Sequence, residues 1–137
     1  MNKLNNPVIE LNNYRITNIE YTTFETQEEL NYFKDENGTI SATVGTTEDN
    51  KEARIVISTT ILKSDEEQMD FKKVTLEITG YFKINTDENV QEYLRVNGTA
   101  ILFPYLRTFI SVITSLDNSD AIVIPTINTN SFGENSK

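Results

Sequence analysis

Proton or metal chemistry in this chain would have to run on carboxylates, lysines, tyrosines and hydroxyls, because the 137 residues include neither histidine nor cysteine. That composition removes thiol nucleophiles, disulfides, Ser-His-Asp triads and every imidazole or thiolate metal site. Two adjacent acid pairs, Glu28-Glu29 and Asp35-Glu36, are the remaining candidates for acid–base work or a hard cation. Neighbouring acids on a loop more often face solvent, and neither pair has calcium-loop spacing. No Gly-rich phosphate-binding loop is present. The expectation is a chain that is not an enzyme and that uses no nucleotide, cofactor or metal.

Charge narrows the partners. With 21 acidic against 12 basic residues, the formal net charge is −9. Reading a nucleic-acid backbone requires clustered Lys and Arg, and anionic membranes select for the same residues, so neither partner is expected. A basic peptide or basic face would be attracted. The opening Met1-Asn-Lys-Leu-Asn-Asn-Pro7 lacks an apolar leader core. The longest apolar run, Ala100 to Tyr105, is far short of the roughly 20 residues that cross a bilayer. The expected location is the cytoplasm, with no membrane insertion.

The elements that would position any site form one domain, expected over residues 14–128, with flexible ends at 1–13 and 129–137. Tyr14 to Phe24 is β-branched and aromatic, and its alternation slips once between Ile16 and Ile19, which predicts a bulged first strand. Glu25 to Asn37 reads as a loop with an apolar middle, ending at the Asn37-Gly38 turn. Strands then follow from Thr39 to about Val44, from Ala53 to Leu62, and from Phe71 to Ile84, where Val74, Leu76, Ile78, Phe82 and Ile84 alternate with polar residues. Gly80 interrupts that apolar face, a sign of a bulge or of close approach by another backbone. Thr99 to Leu116 reads as a long helix with Thr99 as N-cap and a bend or restart at Pro104. The fold class is therefore α+β: a four-stranded antiparallel meander with a crossover loop, covered by one long helix. That helix is apolar around most of its circumference, and one sheet covers only one side, so its other side calls for a second subunit.

Ile101-Leu-Phe-Pro-Tyr-Leu-Arg-Thr-Phe-Ile110 resembles the long helix of the SecB export-chaperone family. Ile124-Pro-Thr-Ile-Asn128 and Gly80-Tyr-Phe82 are similar to that family's proline–asparagine segment and to a glycine-x-phenylalanine near the end of its fourth strand. Thr23-Phe-Glu25 and Phe33-Lys-Asp35 are weaker matches, and the resemblance spans Tyr14 to about Phe132. It implies an ATP-independent holdase that binds unfolded polypeptides or preproteins, assembled as a homotetramer built from two dimers.

The resemblance also implies residue roles. The family's client groove runs between the crossover loop, the long helix and the segment beyond it. Leu30, Tyr32 and Phe33 would form one wall, and Ile122, Ile124, Ile127 and Phe132 the other. The loop residues read equally as pins holding the loop to the sheet. Phe103, Tyr105, Leu106, Phe109, Ile110 and Ile113 read as core, part of it shared between subunits. Glu25 and Glu77 are either a solvated strand face or, through the resemblance, a docking face for the translocase motor SecA. The family continues into a second helix and an acidic tail, whereas this chain stops soon after Ser131-Phe-Gly133, so part of the groove is expected to be missing or reshaped. The alternatives are a dedicated chaperone or binding module for one client, such as an antitoxin or phage protein, and, last, an enzyme acting on a small apolar ligand through Tyr and carboxylates.

Overall fold

A computed structural model describes residues 7–117 and 122–125. The period-two pattern around Val74 folds into β4 (Asp70–Ile84), whose even-numbered residues from Lys72 to Ile84 are all buried. It pairs with β3 (Glu52–Asp65) on one side and β1 (Ile9–Phe24) on the other, while β2 (Thr39–Thr46) borders β3. The sheet order is β1-β4-β3-β2, antiparallel throughout, which is the expected meander with a crossover.

Two register slips in β1 decide which of its residues face inward. They fall between Leu11 and Asn13 and between Ile16 and Asn18. Each inserts one residue and so resets the phase. Ile9, Leu11, Tyr14, Ile16, Ile19 and Tyr21 consequently stand opposite Ile84, Phe82, Gly80, Ile78, Leu76 and Val74, all on the same face. Without the slips, strict alternation from Ile9 would have turned Asn13 and Arg15 inward. The second slip is the one expected from the Ile16–Ile19 spacing. The first corrects the N-terminal boundary: the strand starts at Ile9, and residues 9–13 belong to the sheet rather than to a flexible end, because Ile9 is buried against Ile84.

The crossover is more ordered than a loop. It contains a short helix, α1 (Gln27–Asn31), and a 3-10 turn at Lys34–Glu36. Thr26 caps α1: its hydroxyl accepts from the Glu29 amide at 3.2 Å, and the Glu29 carboxylate accepts from the Thr26 amide at 3.2 Å. Such reciprocal capping satisfies donors that a helix start leaves open. Gly38 then takes a φ of 78° before β2, a conformation that glycine adopts without steric cost.

The long helix begins earlier than expected. Helix α2 (Val90–Glu92) runs into a π-helical segment, Tyr93–Gly98, and on into α3 (Thr99–Ser115). Thr99 is therefore interior to the helical run and fully buried, and it is not an N-cap. Val90, Leu94 and Gly98, spaced four apart, are buried on the sheet side, and the same spacing carries that face on through Leu102, Leu106 and Ile110 of α3. Two glycines set the distance to the sheet. A Cβ at Gly98 would collide with Ile55 Cδ1, and one at Gly80 would lie 2.7 Å from Leu102 Cδ2. Gly80 sits in unbroken register, so close approach, and not a bulge, explains it. Pro104 lies within α3 and does not restart it. The amide it lacks would have bonded the carbonyl of Ala100, which is exposed and open to water.

The helical run Val90–Ser115, at 26 residues, is long and apolar enough by composition to cross a membrane. Its packing supplies another reason for that composition, since Leu94, Leu102, Leu106 and Ile110 are fully buried in one core with Ile55, Ile57, Leu76 and Ile78.

Candidate functional site

Helix α3 lies over β3 and β4 and reaches β1 chiefly through aromatic contacts. Tyr14 stacks on Tyr105, with centroids 4.4 Å apart, and meets Phe109 at 6.1 Å. Beyond that contact, β1 emerges from beneath the helix. Ile16 and Ile19 point to the helix side yet remain 44% and 47% exposed, and Val112 and Leu116 are 50% and 82% exposed. Positions 105, 109, 112 and 116 fall along one stripe of an α-helix. Together these residues make an open apolar strip along the junction of β1 and α3. Strips of this kind on a folded chain mark interaction surfaces.

Not all of the residues expected to meet a second subunit can do so. Phe103, Leu106 and Ile110 are buried in this chain's own core, and Phe109 and Ile113 are packed against it. They face the sheet because Leu102, Leu106 and Ile110 stand at spacings of four. Tyr105 alone of the six is appreciably exposed. Val112 and Leu116 carry the outward apolar surface instead.

The two expected walls of a groove lie on opposite faces of the sheet. Leu30 is buried, and Phe33 contacts Phe24 and Tyr32 with centroids 5.6 and 4.9 Å away. Lys73, on the outer face, sits 4.1 Å from the Phe33 ring centroid and pairs with Glu36 at 3.2 Å, which fixes the crossover to that face. Ile124 is buried in the core on the helix side, and Ile122 packs beside it. The pinning role of Leu30 and Phe33 is thus the one their contacts describe, while Tyr32 is 84% exposed and remains free to touch a partner. Ile127 and Phe132 lie outside the described residues.

Glu77 accepts a hydrogen bond from the Thr17 hydroxyl at 2.7 Å on the outer face, and Glu25 lies just past the end of β1. Glu77 pairs with Asn18, so Glu25 lies seven positions further along β1's direction, on the order of 20 Å at strand rise, and the two form no common cluster. The carboxylate pairs are used locally: Glu29 caps α1 and Glu36 pairs with Lys73. Among the described residues, no three His, Cys, Asp or Glu side chains converge as metal ligands.

One polar cluster was not anticipated. Lys72 has no exposed surface, and its ammonium lies 3.1 Å from the Tyr21 hydroxyl, 3.1 Å from Asp117 Oδ2 and 3.4 Å from Asp70 Oδ2. Tyr21 donates to Asp117 at 2.6 Å, and Lys63 pairs with Asp70 at 3.0 Å. Burial opposes the charge on Lys72, but the bonds to Tyr21 and Asp117 and the nearby Asp70 outweigh it and raise its pKa. Burial, then the bond to Asp117, raise the pKa of Tyr21 against the influence of Lys72. The cluster ties the end of α3 to β1 and β4. Its signal in the sequence was Lys72 sharing the even-numbered face of Val74 and Leu76.

Past Asp117, the segment 122–125 returns along α3. The Ile122 amide donates to the Thr114 hydroxyl at 2.8 Å, and Arg107 Nε donates to the Ile124 carbonyl at 3.1 Å. Between this segment and α3 runs a groove of about 360 Å³, lined by Pro104, Arg107, Thr108, Ser111, Val112, Val123 and Ile124.

No family model matches the chain. An uncharacterized protein of Methanocaldococcus jannaschii, MJ0357, is 30% identical over 127 residues, covering 88% of this chain and 79% of that protein. Among solved structures, the SecB-like chaperone Rv1957 of Mycobacterium tuberculosis, in complex with a ChAD peptide from the HigA1 antitoxin Rv1956, superposes with a TM-score of 0.65 at 13% identity. The match covers 87% of this chain and 90% of that one. A Streptococcus agalactiae protein of unknown function matches with a TM-score of 0.57 at 12% identity, covering 86% and 97%. The fold is SecB-like.

Proposed function

We propose that this chain, which belongs to the same family as the archaeal protein MJ0357, is a chaperone-type protein that holds non-native polypeptide segments without nucleotide. The observation that carries this reading is the open apolar strip of Ile16, Ile19, Tyr105, Val112 and Leu116. Apolar contact and backbone pairing tolerate many sequences, which is what a holder of unfolded chains needs. The negative charge of the protein would draw basic segments toward it. The SecB-like fold supports the same reading, since a neighbour with that fold is a chaperone carrying a bound antitoxin peptide.

The proposed setting is the cytoplasm, and the proposed state is a homotetramer in which the strip is partly shared between copies. That same neighbour also favours a second reading, a chaperone dedicated to one client such as an antitoxin. Client range separates the two. The chain has no tryptophan, so tryptophan emission from several unrelated denatured polypeptides reports their binding directly. Saturable binding to all of them supports a general holdase, and binding to a single cognate partner supports the dedicated one. A failure to bind any denatured polypeptide would remove both.

A further inference from the structure

The groove between α3 and segment 122–125 has a chemistry unlike the rest of this acidic molecule. Among the described residues its lining contains no carboxylate, although the chain has 21 acidic residues. Arg107 uses Nε to hold the Ile124 carbonyl, and its terminal guanidinium nitrogens make no hydrogen bond or ion pair with any described residue. The hydroxyls of Thr108 and Ser111, beside it in the lining, likewise have no partner among the described residues. Pro104, Val112 and Val123 supply apolar walls around these donors.

A partly buried guanidinium with open donors suits an acceptor with two oxygens, because the planar fork matches a carboxylate in bidentate fashion. We infer that this groove takes the acidic side chain of an extended apolar polypeptide segment, with the carboxylate on Arg107 and the neighbouring hydroxyls and the flanking apolar residues on Pro104, Val112 and Val123. The inference rests on the polypeptide-holding reading and adds to it a local rule. Overall charge draws basic chains to the molecule, while this groove selects for an acid at one position within the bound segment.

The test uses the full-length protein and three dye-labelled peptides of one apolar sequence, with Glu, Gln or Lys at the central position. Binding by fluorescence anisotropy should favour Glu over Gln by about tenfold, the scale of one charge-assisted bidentate contact, with Lys weakest. The preference should shrink as salt rises. It should also disappear in Arg107→Gln and fall in Thr108→Ala/Ser111→Ala, a variant that leaves the Arg107–Ile124 bond in place. Equal affinity for the Glu and Gln peptides overturns the inference while leaving polypeptide holding intact, and so does a Glu preference that survives Arg107→Gln. If none of the three peptides binds and denatured proteins do not bind either, the holding reading fails and this inference fails with it.

Discussion

Gly80 of β4 lies against Leu102 of α3 so closely that a Cβ on the glycine would fall 2.7 and 2.8 Å from the two Leu102 methyl carbons. Leu102 is fully buried, so its methyl groups have little room to retreat. Gly80→Ala should therefore destabilise the fold by about 1–3 kcal/mol, the usual cost of overpacking a filled core. Much of that cost should vanish in a Leu102→Ala background, where the added methyl meets space, and urea unfolding of the four variants in a double-mutant cycle reads the coupling.

The Lys72 cluster predicts how stability responds to alkali. Lys72 and Tyr21 both have pKa values raised in the fold above their ordinary values of 10.5 and 10.0. The folded state thus holds both protons more tightly than the unfolded chain does. Their contribution is present in full below about pH 10 and is lost as pH rises through the raised folded values. Melting temperature should fall above that point, and Tyr21→Phe should flatten the fall. Asp117→Ala should cost about 1–3 kcal/mol at neutral pH by leaving part of a buried charge uncompensated.

Met69, in the hairpin between β3 and β4, has a φ of 53° and is largely exposed. Left-handed backbone costs a residue with a Cβ roughly 1 kcal/mol. Met69→Gly should raise the midpoint of thermal unfolding slightly, and a clear loss of stability would show that the Met69 side chain contributes through contacts.

Much of this architecture could be read from the residues, and what could not has identifiable causes. The strict alternation of β4 fixed its faces, and the Ile16–Ile19 slip announced one bulge. The other bulge was hidden in Leu11-Asn-Asn-Tyr14, where a polar doublet resembles an unstructured end. The early helix start was masked by Gln91, Glu92, Arg95 and Asn97, which are polar because that stretch has a solvent side. Thr26 and Glu29 stand at the spacing of a capping pair, which is the local signal in the sequence for the helix they begin. The apolar girth of α3 was plain, but which residues face outward was not. That depends on where the helix rests on β3 and β4, a long-range choice fixed by Gly80 and Gly98.

The outward stripe yields a prediction about assembly. Val112 is half exposed, so Val112→Asp should leave the monomer fold and its melting temperature nearly unchanged. If copies share this surface, the variant should elute as a smaller species by size-exclusion chromatography with light scattering. Retention of the parent mass would place the subunit contact elsewhere.

The most direct test of polypeptide holding is the refolding of an unrelated, slowly folding protein diluted from denaturant in the presence of this chain. Near-stoichiometric amounts should delay recovery of the native signal, and an Ile19→Asp/Leu116→Asp variant, altered at two exposed positions of the strip, should delay it much less. A refolding rate unchanged by the unmodified chain, or delayed equally by the variant, would contradict the account.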